Sequence, residues 1–184
     1  MSLRNAMRAL AVTAALALGA TGVQFAHASA AAAPRTLYYD ASRAAEFKTN
    51  ITQAAAIWNS SVPAIKLVAK TPAPITIIAD DGWPRAQPRG LGQGTVYMGR
   101  QAVRDGFDPT RIAAHELGHI LGLPDRRTGL CSDLMSGHSA PTSCTNAKPS
   151  PKEIAAVKRN FGSGSATTRL PAEIREAPVT AGRS

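Results

Sequence analysis

Only two cysteines occur in 184 residues, aromatic residues make up 5%, and no basic stripe is interleaved with aromatics. Lys and Arg are scattered singly apart from Arg126-Arg127 and Lys158-Arg159, and no nucleic-acid motif is present, so nucleic-acid binding is excluded as the main activity. The net charge of +9 then reads as solubility, with affinity for anionic surfaces or acidic substrates as the functional counterpart. No apolar run is long enough to persist as a membrane span, and no internal repeat is visible.

What is present begins with a leader. Arg4 and Arg8 precede an Ala- and Leu-rich stretch from about Ala9 to Val23, and Ala26-His27-Ala28 and Ala28-Ser29-Ala30 follow as small-residue cleavage patterns. Residues 1–30 therefore read as a secretory signal peptide, and 31–35 as a short pro or linker segment. Export places Cys131 and Cys144, the only available pair, in a compartment that permits disulfides, which argues against a thiol enzyme. The exported chain is expected to be a monomer with no membrane segment. At the other end, residues 162–184 carry few large apolar side chains and read as a flexible tail, with a short helix across 172–177 left open.

Between these lies one domain, residues 36–161. Thr36–Tyr39 reads as an opening strand, and Phe47, Ile51, Ala54, Ala55 and Trp58 recur at helical spacing, which predicts a helix over 42–59. Ile65–Ala69 and Ile75–Ala79 are β-branched runs bounded by prolines and read as strands. Residues 82–94, rich in Gly, Pro and Arg, read as a loop. Thr95–Met98 between Gly94 and Gly99 reads as an edge strand, because flanking glycines let another backbone approach. Asp108-Pro109 is an N-cap followed by Pro at the first helical position, and Gly122 with Pro124 ends the helix it starts. Ser150-Pro151-Lys152-Glu153 is a capping box that opens a last helix.

His115-Glu116-Leu117-Gly118-His119 lies on the Asp108 helix. Residues four apart share one helix face, so both imidazoles can reach one zinc ion while Glu116 points toward the attacking water as general base. A catalytic zinc needs a third protein ligand and one open position. Gly122 lets the chain reverse so that Asp125 can face the same ion. The alternatives are His138, read as a loop histidine, and Glu153, already committed to its capping box; Asp133 reads as an ordinary loop acid.

His115-Glu116-x-x-His119-x-x-Gly122-x-x-Asp125 resembles the metzincin signature with Asp in the last place, the mark of the snapalysin family of small secreted bacterial metalloproteases. The resemblance runs from about Thr36 to Phe161 and includes Ala54–Ser61, Asp108–Arg111 and Leu134-Met135-Ser136-Gly137. It implies a compact α+β, metzincin-like fold with a small mixed sheet, an N-terminal helix, an active-site helix and a C-terminal helix. It implies a Met-turn at Met135, a disulfide between Cys131 and Cys144, and a calcium site at Asp108 and Thr110. Polypeptides become the substrates, with preference for an aromatic residue after the scissile bond. Arg127 stands where the family carries a tyrosine that assists the transition state, and is the candidate contact to substrate or transition state. The rival expectation is a secreted zinc-binding or adhesion module that has lost catalysis.

Overall fold

A computed structural model describes residues 33–162 and 174–175. The leader and most of the tail lie outside the described residues. In chain order the elements are β1 (Arg35–Arg43), a 3-10 turn (Ala45–Phe47), α1 (Lys48–Ser61), β2 (Ile65–Ala69), β3 (Ile75–Asp80), β4 (Arg85–Gly90) and β5 (Gln93–Gly99). There follow α2 (Arg100–Arg104), α3 (Pro109–Ile120), a second 3-10 turn (Leu134–Ser139), α4 (Pro151–Phe161) and β6 (Ile174–Arg175). The fold is the expected α+β domain with a mixed sheet.

The strands stand in the order β2-β1-β3-β5-β4-β6. The first four are parallel, and β4 pairs antiparallel with β5 on one side and with β6 on the other. Parallel neighbours need a crossover, and α1 supplies the one between β1 and β2. Its buried stripe is Ile51, Ala54, Ala55 and Trp58, as the helical spacing predicts. The helix starts later than 42 because the sheet claims the residues before it: β1 continues past a bulge to pair Arg43 with Ile78 of β3.

The sheet corrects the reading of residues 82–98. Arg85–Gly90 is a strand, so β5 is interior and not an edge. The backbone for which Gly94 and Gly99 leave room is that of the β4 segment itself. A Cβ on Gly99 would lie 2.3 Å from the Gly82 carbonyl oxygen, and one on Gly94 2.5 Å from that of Gln87. Pro88 fits β4 because this strand borders the main sheet, where a missing donor costs least. In the tail, Ile174–Arg175 is extended and paired, so no helix spans 172–177.

The helix α3 runs through the centre of the domain, and Arg111 to Ile120 are all buried. Its start follows the sequence: the Asp108 carboxylate accepts from the Arg111 N–H at 2.7 Å, and Pro109 takes the first helical position. It ends as Gly122 adopts φ +88°. Trp58 of α1 is fully buried and donates its indole N–H to the Ala114 carbonyl at 2.9 Å, fixing α1 against α3. Truncating such a side chain to alanine costs about 3–5 kcal/mol.

Candidate metal centre and adjoining cleft

His115 and His119, one turn apart on α3, are both buried. Each ring is held by a backbone carbonyl: His115 Nδ1 donates to Leu134 O at 3.0 Å, and His119 Nδ1 donates to Leu123 O at 2.7 Å. A carbonyl can only accept, so the proton of each neutral ring sits on Nδ1 and Nε2 carries a lone pair. These two Nε2 atoms lie 3.0 Å apart. Asp125 brings Oδ1 to 3.3 Å and 3.5 Å from them.

Three electron-pair donors at that spacing repel one another unless a cation sits among them. Their ligand atoms all fall within 4.8 Å of one another, and the donor set, two imidazoles and a carboxylate, is one that metal ions accept. The group can hold a metal ion. Burial depresses the His119 pKa, with Asp125 opposing and His115 reinforcing the shift, and so keeps the ring in the neutral form a metal requires. Burial alone would raise the Asp125 carboxyl, but the two histidines outweigh it and lower it to about 2.

The segments that deliver these groups are tied together. After Gly122, Leu123 N donates to Gly118 O at 3.0 Å, which turns the chain back so that Leu123 O meets His119. Arg126 N donates to Met135 O at 2.8 Å, joining the Asp125 segment to the second 3-10 turn. Met135 is fully buried beneath α3, where a Cβ on Gly118 would lie 2.7 Å from its sulfur. Only glycine at 118 leaves that room.

Glu153 joins this arrangement from α4. It completes the capping box with Ser150, as the sequence indicates, and the same buried carboxylate accepts from Met135 N at 2.7 Å and Leu134 N at 3.3 Å. The Leu134 carbonyl on that peptide run is the one that orients His115. Sequence reasoning missed this second role because the capping signature already accounts for the residue.

Arg111 was missed as well. It is buried on the same helix face as His115 and His119, and its guanidinium donates to the carbonyls of Cys131, Asp133 and Asn146. The i, i+4, i+8 spacing of 111, 115 and 119 was the available signal. The loop it holds is closed by the Cys131–Cys144 disulfide, with Cα atoms 5.6 Å apart.

Arg127 adopts φ +51° and donates through Nη2 to Asp125 Oδ2 at 2.9 Å, and its Nη1 meets His138 Nδ1. His138 stands outside the three-residue group and lines the pocket that His115 and Glu116 share. Asp133 accepts from Thr128 Oγ1, as a loop acid would. At the start of α3, Asp108 caps the helix, while Thr110 Oγ1 accepts from Asn50 and donates to Gln53.

Beside the histidines opens an apolar pocket whose lining includes Trp83, Pro84, Phe107, Ile112, His115 and Glu116. Trp83 and Phe107 meet edge to face, centroids 6.1 Å apart. Trp83 and Pro84 lead directly into β4, so that strand starts at the rim of the pocket that His115 and Glu116 line.

Residues 34–164 match the Streptomyces extracellular neutral proteinase (M7) family. The chain belongs to this family. The M7 match spans every residue of the site, and it is the snapalysin grouping that the Asp125 motif indicated. The chain is 40% identical over 131 residues to the extracellular small neutral protease of Streptomyces caespitosus, covering 70% of this chain and 98% of that protein. It is 39% identical over 132 residues to that of Streptomyces sp. (strain C5) and 38% over 137 residues to that of Streptomyces lividans. Those matches take in 57% and 60% of the two relatives, so the chain spans well under two thirds of their length.

Proposed function

We propose that this M7 chain is a secreted zinc endopeptidase that hydrolyses extended polypeptides, with His115, His119 and Asp125 holding the ion and Glu116 acting as general base. The observation that carries the reading is the convergence of two Nε2 lone pairs and one carboxylate oxygen beside an apolar cleft. Secretion is supported by the extracellular names of the relatives. Among the described residues no helix is long and apolar enough to cross a membrane.

A bound zinc ion supplies Lewis acidity, polarising a carbonyl and making water a better nucleophile at neutral pH. The protein does the rest. Glu116 follows His115 on α3 and lines the same pocket, so its carboxylate takes the proton of the attacking water. Water oxygen adds to the scissile carbon, the C–N bond breaks, and Glu116 returns the proton to the leaving amine.

Substrate main chain pairs along β4, the border of the main sheet, in place of the β5 edge that the sequence suggested. The pocket that Trp83 and Phe107 help to line suits an aromatic side chain placed just after the scissile bond. Arg127 enters as a contact to substrate or developing oxyanion, with its guanidinium stationed by Asp125. Calcium enters at Asp108 and Thr110, which border one hollow with Gln53 and Asn146, and calcium content after gel filtration checks it.

The decisive experiment is casein hydrolysis by the purified protein with and without a chelator, alongside Glu116→Gln. The variant should keep one zinc per chain and lose about 10²–10⁴-fold in kcat. Chelator-insensitive hydrolysis, or full activity in Glu116→Gln, refutes the mechanism. A folded, zinc-loaded parent without hydrolysis would instead establish the binding-module alternative.

A further inference from the structure

The strand β6 lies in the tail, beyond residue 164, where the family match ends. It pairs antiparallel with β4, Arg175 opposite Arg85 and Ile174 opposite Ala86. Arg85 follows Trp83 and Pro84, which line the pocket shared with His115 and Glu116. The tail therefore sits on the stretch of β4 nearest the cleft. Its N-to-C direction runs from Ala86 toward Arg85, that is, toward the pocket end of the strand.

We infer that this border of the sheet is a binding surface whose resident ligand is the chain's own tail, so that Ile174–Arg175 competes with substrate for the main-chain groups of β4. An open strand edge offers unpaired N–H and C=O groups to any extended peptide, and the first segment to reach them displaces the others. The inference rests on the reading of β4 as the strand along which substrate pairs. A segment tethered in the same chain competes at an effective concentration of about a millimolar, which suffices for a weakly held two-residue strand to raise KM.

Because the contact is a main-chain one, proline should break it and alanine should not. In the full-length chain, Ile174→Pro combined with Arg175→Pro removes both N–H donors, and Ile174→Ala combined with Arg175→Ala keeps them. With a fluorogenic peptide substrate, the double proline variant should show a KM lowered about 3–10-fold with kcat unchanged within about twofold, whereas the double alanine variant should match the parent. Amide exchange across Arg85 and Ala86, measured in Glu116→Gln to prevent self-cleavage, should speed up only with the prolines, at whichever of the two turns its N–H toward the tail. That exchange reading needs no turnover. Unchanged exchange overturns the pairing, and faster exchange with unchanged KM overturns the competition while leaving the peptidase reading intact. Absence of turnover in every form, with zinc bound, overturns the peptidase reading and the competition with it.

Discussion

The helix α3 lines the cleft and the strand β4 starts at its rim, and the two differ in what they offer to it. On α3 the side chains act, and each is fixed by a backbone group brought from elsewhere: Leu134 O for His115, Leu123 O for His119. On β4 the proposed working surface is the backbone. Its side chains mainly steady the strand: Arg85 forms an ion pair with Asp80 at 2.7 Å and lies 3.8 Å above the Tyr97 ring. Substitution should therefore be severe on α3 and around it, and mild on β4.

The largest effect is expected at Asp125. Replacing it by alanine removes one of three converging ligand atoms, so zinc should be lost to a mild chelator while far-UV circular dichroism stays helical; Asp125→His should retain the ion. Equal zinc retention by Asp125→Ala and the parent would move the third ligand elsewhere, to His138 first. Next comes Glu153→Gln. An amide cannot accept from Leu134, Met135 and Ser150 N–H groups as a carboxylate does, so zinc affinity should fall about 10–100-fold through the looser hold on His115. Unchanged affinity by competition titration would reduce Glu153 to a helix cap.

Gly118→Ala tests the packing beneath the helix. The added methyl would press on the Met135 sulfur, and stability in urea should drop by about 1–3 kcal/mol. No change would mean that Met135 yields freely and is no fixed floor. The smallest effect belongs to β4: Arg85→Ala gives up a partly exposed ion pair and a stacking contact, at a cost of about 1 kcal/mol or less. Its kcat should stay within about twofold of the parent. A tenfold fall would show that side chains on β4 do chemical work and would dissolve the contrast with α3.

The same contrast governs what could be read from residues alone. The ends of α3 were legible because Asp108-Pro109 and Gly122 are local signals, and the histidine spacing is itself the geometry of the site. Strand β4 was not. Its inward residues Ala86 and Pro88 alternate with Arg85, Gln87 and Arg89 as a strand requires, but neither is a strand former. What makes it a strand is a neighbour, β5, whose Gly94 and Gly99 let it approach. The start of α1 was misplaced for a similar reason, since pairing with β3 outweighed helical spacing at 42 and 43. The carbonyls of Leu123 and Leu134 belong to residues with no chemical signature, so the partners that set the histidine tautomers were invisible until the chain was folded.

The bond from Glu153 to the Leu134-Met135 peptides also sets an order in time. A chain made and exported from its N-terminus presents His115, Glu116, His119 and Asp125 long before residue 153 arrives. Until the first turn of α4 docks, the Leu134 and Met135 N–H groups lack their carboxylate partner, and the loop that aims His115 is held from the Arg111 and Arg126 sides alone. The centre is thus completed from its far end, almost the last part of the domain to be synthesised. A nascent chain in transit carries every reactive group and no finished blade.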